Sequence, residues 1–519
     1  SGINVSSDAT LNQLYFALNV QNPNLTDPRV RQALSLVYDY TAHVEQARQG
    51  HSSVARGPLP SVIPYFDDSI KPSETNIAKA KELMAEAGVP DGGFELEMAY
   101  QGTSPEETVA FQIMQAGAAE IGVSVKPVAV EWPAKVGLFA SQDTAPGMGT
   151  IWVFPAYADP DAYLHVIGHS SLSPDKGGFN FSYFSNARFD ELTEKGKIEM
   201  DPAVRKDLYK EAQQIWMDEV PYINVALQYD LVAYRDYVKG YRWNSAHSRT
   251  QNIYDISLTS ETEAVGSAES NTFIMAVNGS PPTFDPLAAR DSRVDTPSIN
   301  MYSALVQVTP DLELYNDLAD NIDMADDGKS YTVSLVKGVK FHDGSELVAG
   351  DVKWTIDRMI ALAKGVRSNL NLVTGAEIID DYTVRIDLET PFPGMLMNLG
   401  RLYIINSDLV MEHEEDGDWG EKWLQNNDAG SGPYQLVSYD AEQQFTIEAF
   451  PDYHRGWEGN HIERAIFRVI KEETTRQIAL ENGDVDWATI GTPETLDSLQ
   501  NISGINVSSD ATLNQLYFA

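Results

Sequence analysis

Alternating helical and strand patterns predict a mixed α/β protein with several antiparallel strand pairs. Three observations carry that prediction. Segments with apolar residues at helical spacing recur along the chain. Segments with strict apolar–polar alternation lie between them. At 43 % hydrophobic and 22 % charged residues, the 519-residue chain has enough apolar surface for large cores. Its length allows about three domains.

The elements follow in chain order. Residues 76–88 (NIAKAKELMAEAG) place apolar side chains on one face and stop at Gly88. Residues 108–121 repeat the helical pattern, and 123–130 follow as a strand. Residues 202–219 form a second long amphipathic helix. Residues 272–277 (TFIMAV) read as a buried strand. Residues 329–339 (KSYTVSLVKGV) and 382–388 (YTVRIDL) alternate as half-exposed strands. Between them a helix over 351–363 starts at Asp351, whose carboxylate is expected as its N-cap. Strands follow at 443–448 and 465–470.

Ser503–Ala519 repeats Ser1–Ala17 (SGINVSSDATLNQLYFA) letter for letter, so a period of 502 residues looks like one unit read from an internal start. Residues 259–270 (TSETEAVGSAES) are polar and acidic, and are expected to link the natural C-terminus of one unit to the N-terminus of the next. Lys and Arg number 37 against 76 Asp and Glu, a net charge of −39, which disfavours nucleic-acid partners. The absence of cysteine excludes disulfides, thiolate catalysis and Cys-ligated zinc. No run of about 18 apolar residues occurs, so no transmembrane helix is expected. Without an initiator Met or a signal-like segment the chain looks trimmed.

Several strings form a series: VKFHDG at 339–344, ELVAGDVKW at 346–354, GSGPY at 430–434, FPDY at 450–453 with Trp457, and GDVDW at 483–487. DPRVRQALS at 27–35, Glu131-Trp132 and Asp159-Pro160-Asp161 continue it. Together they resemble the peptide/opine/nickel family of extracytoplasmic solute-binding proteins, which deliver ligands to ABC importers. The resemblance implies a periplasmic-binding-protein-like (type II) two-lobe α/β fold with an extra β-rich subdomain. One lobe would be 18–227. The other would be 271–310 and 429–519, closed by 228–258, with 311–428 as the extra subdomain. Hinge strands would lie at 15–20 and 224–234. The family's order starts with a strand like 272–277, so this chain would be circularly shifted, with 1–17 and 503–519 two copies for one slot. One copy is expected to pair in the sheet and the other to be displaced or to pair elsewhere. The resemblance also implies a small-molecule ligand, a membrane permease as partner, no cofactor, no enzymatic activity, and a periplasmic or extracytoplasmic location.

The most informative stretch is 151–161 (IWVFPAYADPD). Trp152, Phe154 and Tyr157 precede a loop, and Asp159-Pro160 starts a helix. The resemblance puts Phe154, Tyr157 and Asp159 at the ligand cleft, although Asp159 and Asp161 are explained as well by capping a helix start. Dipeptide-binding relatives carry an aspartate where this chain has Ala156, and an arginine after the Gln that matches Gln101, where this chain has Gly102. A zwitterionic dipeptide would lose both charge partners, so ordinary dipeptide specificity is not expected. The aromatics Trp132, Trp152, Phe154, Tyr157, Trp243 and Tyr434 shift the expectation toward a neutral or sugar-like ligand, since flat apolar faces stack on rings. Core packing accounts for the same aromatics equally well. Phe284 and Arg293 are candidate contacts on the loop after the first family strand, which also reads as a charge-balanced surface loop with Arg290, Asp291 and Asp295.

His165 and His169, four apart on a helix, have the spacing of a two-His metal site. They carry the alternative of a nickel or metallophore carrier, against the reading of a satisfied helix-end pair. A cleft hydrolase using carboxylates is a second alternative, but no GxSxG, HExxH or GxGxxG string supports it. His342 and Asp343 read as a strand end and a turn. GSGPY reads as a tight turn or a ligand rim, because glycine lets backbone approach closely.

Overall fold

The computed structural model describes residues 3–155, 157–244, 250–259, 271–288, 292–490, 492–500 and 506–507. Two compact units divide the chain: Ala9–Tyr229, and Ser1–Asp8 with Asp230–Ala519. The expected calls on Ala156, Arg290, Asp291 and most of the 259–270 linker lie outside the described residues.

In the unit Ala9–Tyr229, the long strand Ile3–Leu18 runs antiparallel to Met148–Val153, with Leu14 opposite Trp152 and Phe16 opposite Thr150. This pairing joins Gln13–Leu18 to the Met148–Val153 strand. Glu95–Tyr100 lies parallel to both Ser124–Ala129 and Met148–Val153. Parallel neighbours need crossovers, and two helices supply them: Pro105–Ala119 and Trp132–Phe139. The first is fixed at its start by Ser104, whose side chain accepts the Glu107 N–H, and by Pro105 in the first turn. Leu14, Phe16, Leu18, Leu34, Met98 and Met114 close the core beneath the sheet. The helix predicted over 76–88 spans Ile77–Glu86, capped by Asn76 and followed by Gly88 at φ +81°. The 202–219 helix is Pro202–Glu219, capped by Asp201.

In the other unit the strands run in the order Tyr434–Asp440, Gln444–Ala449, Arg464–Val469, Thr272–Val277 and Trp487–Thr489. The last residues of Tyr222–Arg235 complete the row, with Tyr234 opposite Trp487. A separate antiparallel sheet orders Ala319–Met324, Ser330–Leu335, Thr383–Leu388 and Val373–Asp380. Here one expectation is corrected. The helix begins at Ala349, so Asp351 lies inside its first turn rather than at its N-cap. Its carboxylate reaches back to the Val348 N–H at 3.0 Å and also accepts from the Ser407 N–H and hydroxyl.

The first copy of the repeat forms most of the strand Ile3–Leu18. Of the second copy only Asn506–Val507 is described, lying parallel to Asn4 and Val5, each against its own counterpart.

Candidate functional site

Glu107 gathers three of the segments that sequence reading singled out. Its Oε2 accepts the Gln101 N–H at 2.7 Å, the Lys135 ammonium at 3.0 Å and the Thr150 hydroxyl at 2.5 Å. The Glu107 and Lys135 side chains are 4 % and 3 % exposed. Lys135 also donates to the Thr150 carbonyl and side-chain oxygen at 3.2 and 2.7 Å. Burial pushes the Lys135 ammonium below its ordinary range, and Glu107 only partly offsets that. A buried charge needs this degree of partnering to persist. One oxygen thus ties the Gln101-Gly102 turn, the Trp132 helix and the 148–153 strand together.

The Trp132 ring lies against this base, and further aromatics follow from it and from the strand. Lys135 lies 5.7 Å from the Trp132 ring centroid, and Trp132 meets Phe181 edge-on at 5.9 Å. Phe179 meets the same Phe181 at 6.4 Å. Two residues beyond Thr150, Trp152 stacks on Phe154 at 6.1 Å. Trp132, Phe154 and Phe179 are 38 %, 58 % and 49 % exposed, large values for such rings. The sequence pattern points to Trp132, Trp152 and Phe154 but not to Glu107 or Lys135, because a charge on an amphipathic helix reads as a solvated face, nor to Thr150 within a buried strand.

Asp159 has a different role. Its two oxygens are held by Arg205 at 2.8 and 2.9 Å, and Oδ1 caps the Asp161 N–H at 2.9 Å. It is 5 % exposed and anchors the loop. Tyr157 donates its hydroxyl to Asp161 at 2.6 Å.

The other unit holds the remaining candidates. Phe284, 1 % exposed, packs edge-on to Tyr439 and Phe445. Tyr434, fully buried, donates to the Ile462 carbonyl at 3.1 Å. Both are core residues: Phe284 packs under the outer strands of the sheet, and Tyr434 starts a strand from within. Trp243 is 9 % exposed. Arg293 is exposed and lies in the first turn of the helix Ser292–Met301 instead of a loop. The glycines of GSGPY are explained by close backbone approach. A Cβ on Gly430 would stand 1.8 Å from the Met301 carbonyl oxygen, and one on Gly432 2.5 Å from the Met301 carbonyl carbon.

The two histidines do face each other, with ring centroids 4.5 Å apart. His169 already has partners on both nitrogens, Ser171 at Nδ1 and Glu194 at Nε2. Burial, with Lys197 and His169 nearby, pushes His165 down to about 3, so it is neutral. Among the described residues no group of three or more His, Cys, Asp or Glu side chains could hold a metal ion.

The chain belongs to the bacterial extracellular solute-binding proteins, family 5, whose middle-region model matches residues 1–175 and 313–519. It is 30 % identical over 246 residues to a probable D,D-dipeptide-binding periplasmic protein of Escherichia coli, covering 46 % of each chain. It is 32 % identical over 222 residues to a glutathione-binding protein of Pectobacterium atrosepticum, covering 41 % of each. Among solved structures, HbpA2 of Haemophilus parasuis is similar at 30 % identity and a TM-score of 0.45, with 50 % of each chain covered. The chain thus spans less than half the length of the curated relatives it matches here. No helix among the described residues is long and apolar enough to cross a membrane.

Proposed function

We propose that this chain is an extracytoplasmic solute-binding protein that captures a small oligosaccharide-like or oligopeptide-like ligand without strong terminal charges. It does so by closing two lobes about the strands near residues 15–20 and 224–234, and it presents the ligand to the membrane permease of an ABC importer. The observation that carries this reading is the Glu107 base: the ammonium beside the Gln101-Gly102 turn is engaged by a carboxylate, and the exposed Trp132 ring lies against it. Rings offer stacking surface to neutral, flat faces. Nothing in that base is left to pair a free carboxylate. The names of relatives that bind dipeptides and glutathione support a ligand of this size. The circularly shifted order and the lobe map of the sequence reading belong to the same proposal.

Closure follows if the ligand binds the closed form more tightly, and it shifts the equilibrium by no more than that difference. Thermal unfolding with cellotetraose, tetra-alanine, its N-acetylated and amidated form and Ni²⁺ tests the reading. A rise of several degrees with the sugar or the amidated peptide, lost in Trp132→Ala, is expected. No shift with any neutral probe overturns it, and a shift with Ni²⁺ alone favours the metal-carrier alternative.

A further inference from the structure

One cavity lies wholly within the unit that contains Asp230–Ala519. Its volume is about 490 Å³, within the range of small-molecule sites. The VKFHDG turn, the stretch around Trp423–Asn427 and the strand Tyr434–Asp440 enclose it.

Its floor is a buried ion pair. His342 Nδ1 lies 2.7 Å from Asp428 Oδ2, and Nε2 lies 3.0 Å from the Gly432 carbonyl oxygen. Both side chains are 8 % exposed. Asp343 adds a second carboxylate, held by Asn406 and Ser345. No Lys or Arg lines the cavity. Two carboxylates with one imidazole repel an anion.

Its walls carry polar groups that face solvent, exposed at Asn426 and Ser438 and half-buried at Gln435 and Trp423. The amides of Asn426 and Gln435, the Ser438 hydroxyl and the Trp423 Nε1–H have no hydrogen-bond partner among the described residues. Amides and hydroxyls both donate and accept, as do the hydroxyls of a sugar. Trp423 is stacked on His413 at 4.7 Å, which fixes its ring in place.

The wall strand is at the edge of its sheet, which raises the option of an added peptide strand. The edge does not suit one. Its register shifts between Leu436 and Ser438, and the Leu436 N–H already donates to Asp428 at 3.0 Å. Recognition by side chains remains.

We propose that this cavity binds a neutral saccharide of one or two rings, held by Asn426, Gln435 and Ser438 beside Trp423.

Calorimetric titration of the full chain with cellobiose, maltose, glucuronate and triglycine tests this. The variants are Asn426→Leu with Gln435→Leu, Ser438→Arg to block the rim, and Trp132→Ala to disable the first site. Binding of cellobiose or maltose, weakened at least tenfold in either cavity variant and retained in Trp132→Ala, is expected. Absence of binding by both disaccharides overturns the proposal, as does equal binding of glucuronate or triglycine. Loss in Trp132→Ala with retention in both cavity variants also overturns it, while leaving the first site supported. Unfolding midpoints of the variants close to the parent's confirm that each is folded.

Discussion

At the scale of single residues, the structure turns on charges that are buried with their partners. Removing one partner of such a pair exposes the other to desolvation, at about 3–5 kcal/mol. Glu107→Gln should therefore destabilise the chain by about 3 kcal/mol, because it leaves Lys135 without its carboxylate. Adding Lys135→Met to it should recover most of that loss, measured by urea unfolding. Equal losses in the single and double variants would show that the pair is not coupled. His342 gives a pH signature. Burial opposes its charge, but Asp428 and the Gly432 carbonyl outweigh that, so its pKa lies above the usual 6.5. A raised folded value means the pair stabilises fully below pH 6.5 and fades as pH rises through the folded value. Between about pH 6 and pH 9 the parent should lose unfolding temperature that His342→Gln does not lose. Parallel curves for the two would contradict the assignment. The sequence pattern points to aromatic candidates but to neither of these buried ion pairs. Phe154 and Phe284 look alike as letters, yet one is a surface ring and the other is core.

At the scale of elements, local chemistry was largely readable. The helices at 76–88 and 202–219 could be placed because Asn76, Gly88 and Asp201 mark their ends. Asp351 misled because the helix starts upstream, where Val348 offers no side-chain cap and so no signal. Glycine shows the same division between local and tertiary causes. Gly137 sits exposed in the Trp132–Phe139 helix, and an added Cβ would meet nothing within 4 Å. Gly137→Ala should stabilise the protein by about 1 kcal/mol through helix propensity alone. Gly432→Ala should cost about 3 kcal/mol or more, because Met301 backbone fills the space. Thermal unfolding of the two variants separates them, and equal effects would refute the close-approach explanation. Which glycine is which depends on a segment more than a hundred residues away, so no local pattern could have told them apart.

At the scale of the whole molecule, the net charge of −39 works against compactness, since like charges repel over a Debye length of about 10 Å at 0.1 M salt. Raising sodium chloride from about 0.05 to 0.5 M should raise the unfolding midpoint, and an unchanged midpoint would show that the surface charges are already balanced locally. Family membership accounts for the α/β architecture. The central claim is that binding closes the molecule. Small-angle X-ray scattering, with and without the probe that most raises the unfolding midpoint, tests it most directly. The account predicts a smaller radius of gyration at saturation, restored when the probe is dialysed away and absent in Trp132→Ala. An unchanged radius at full occupancy would contradict it.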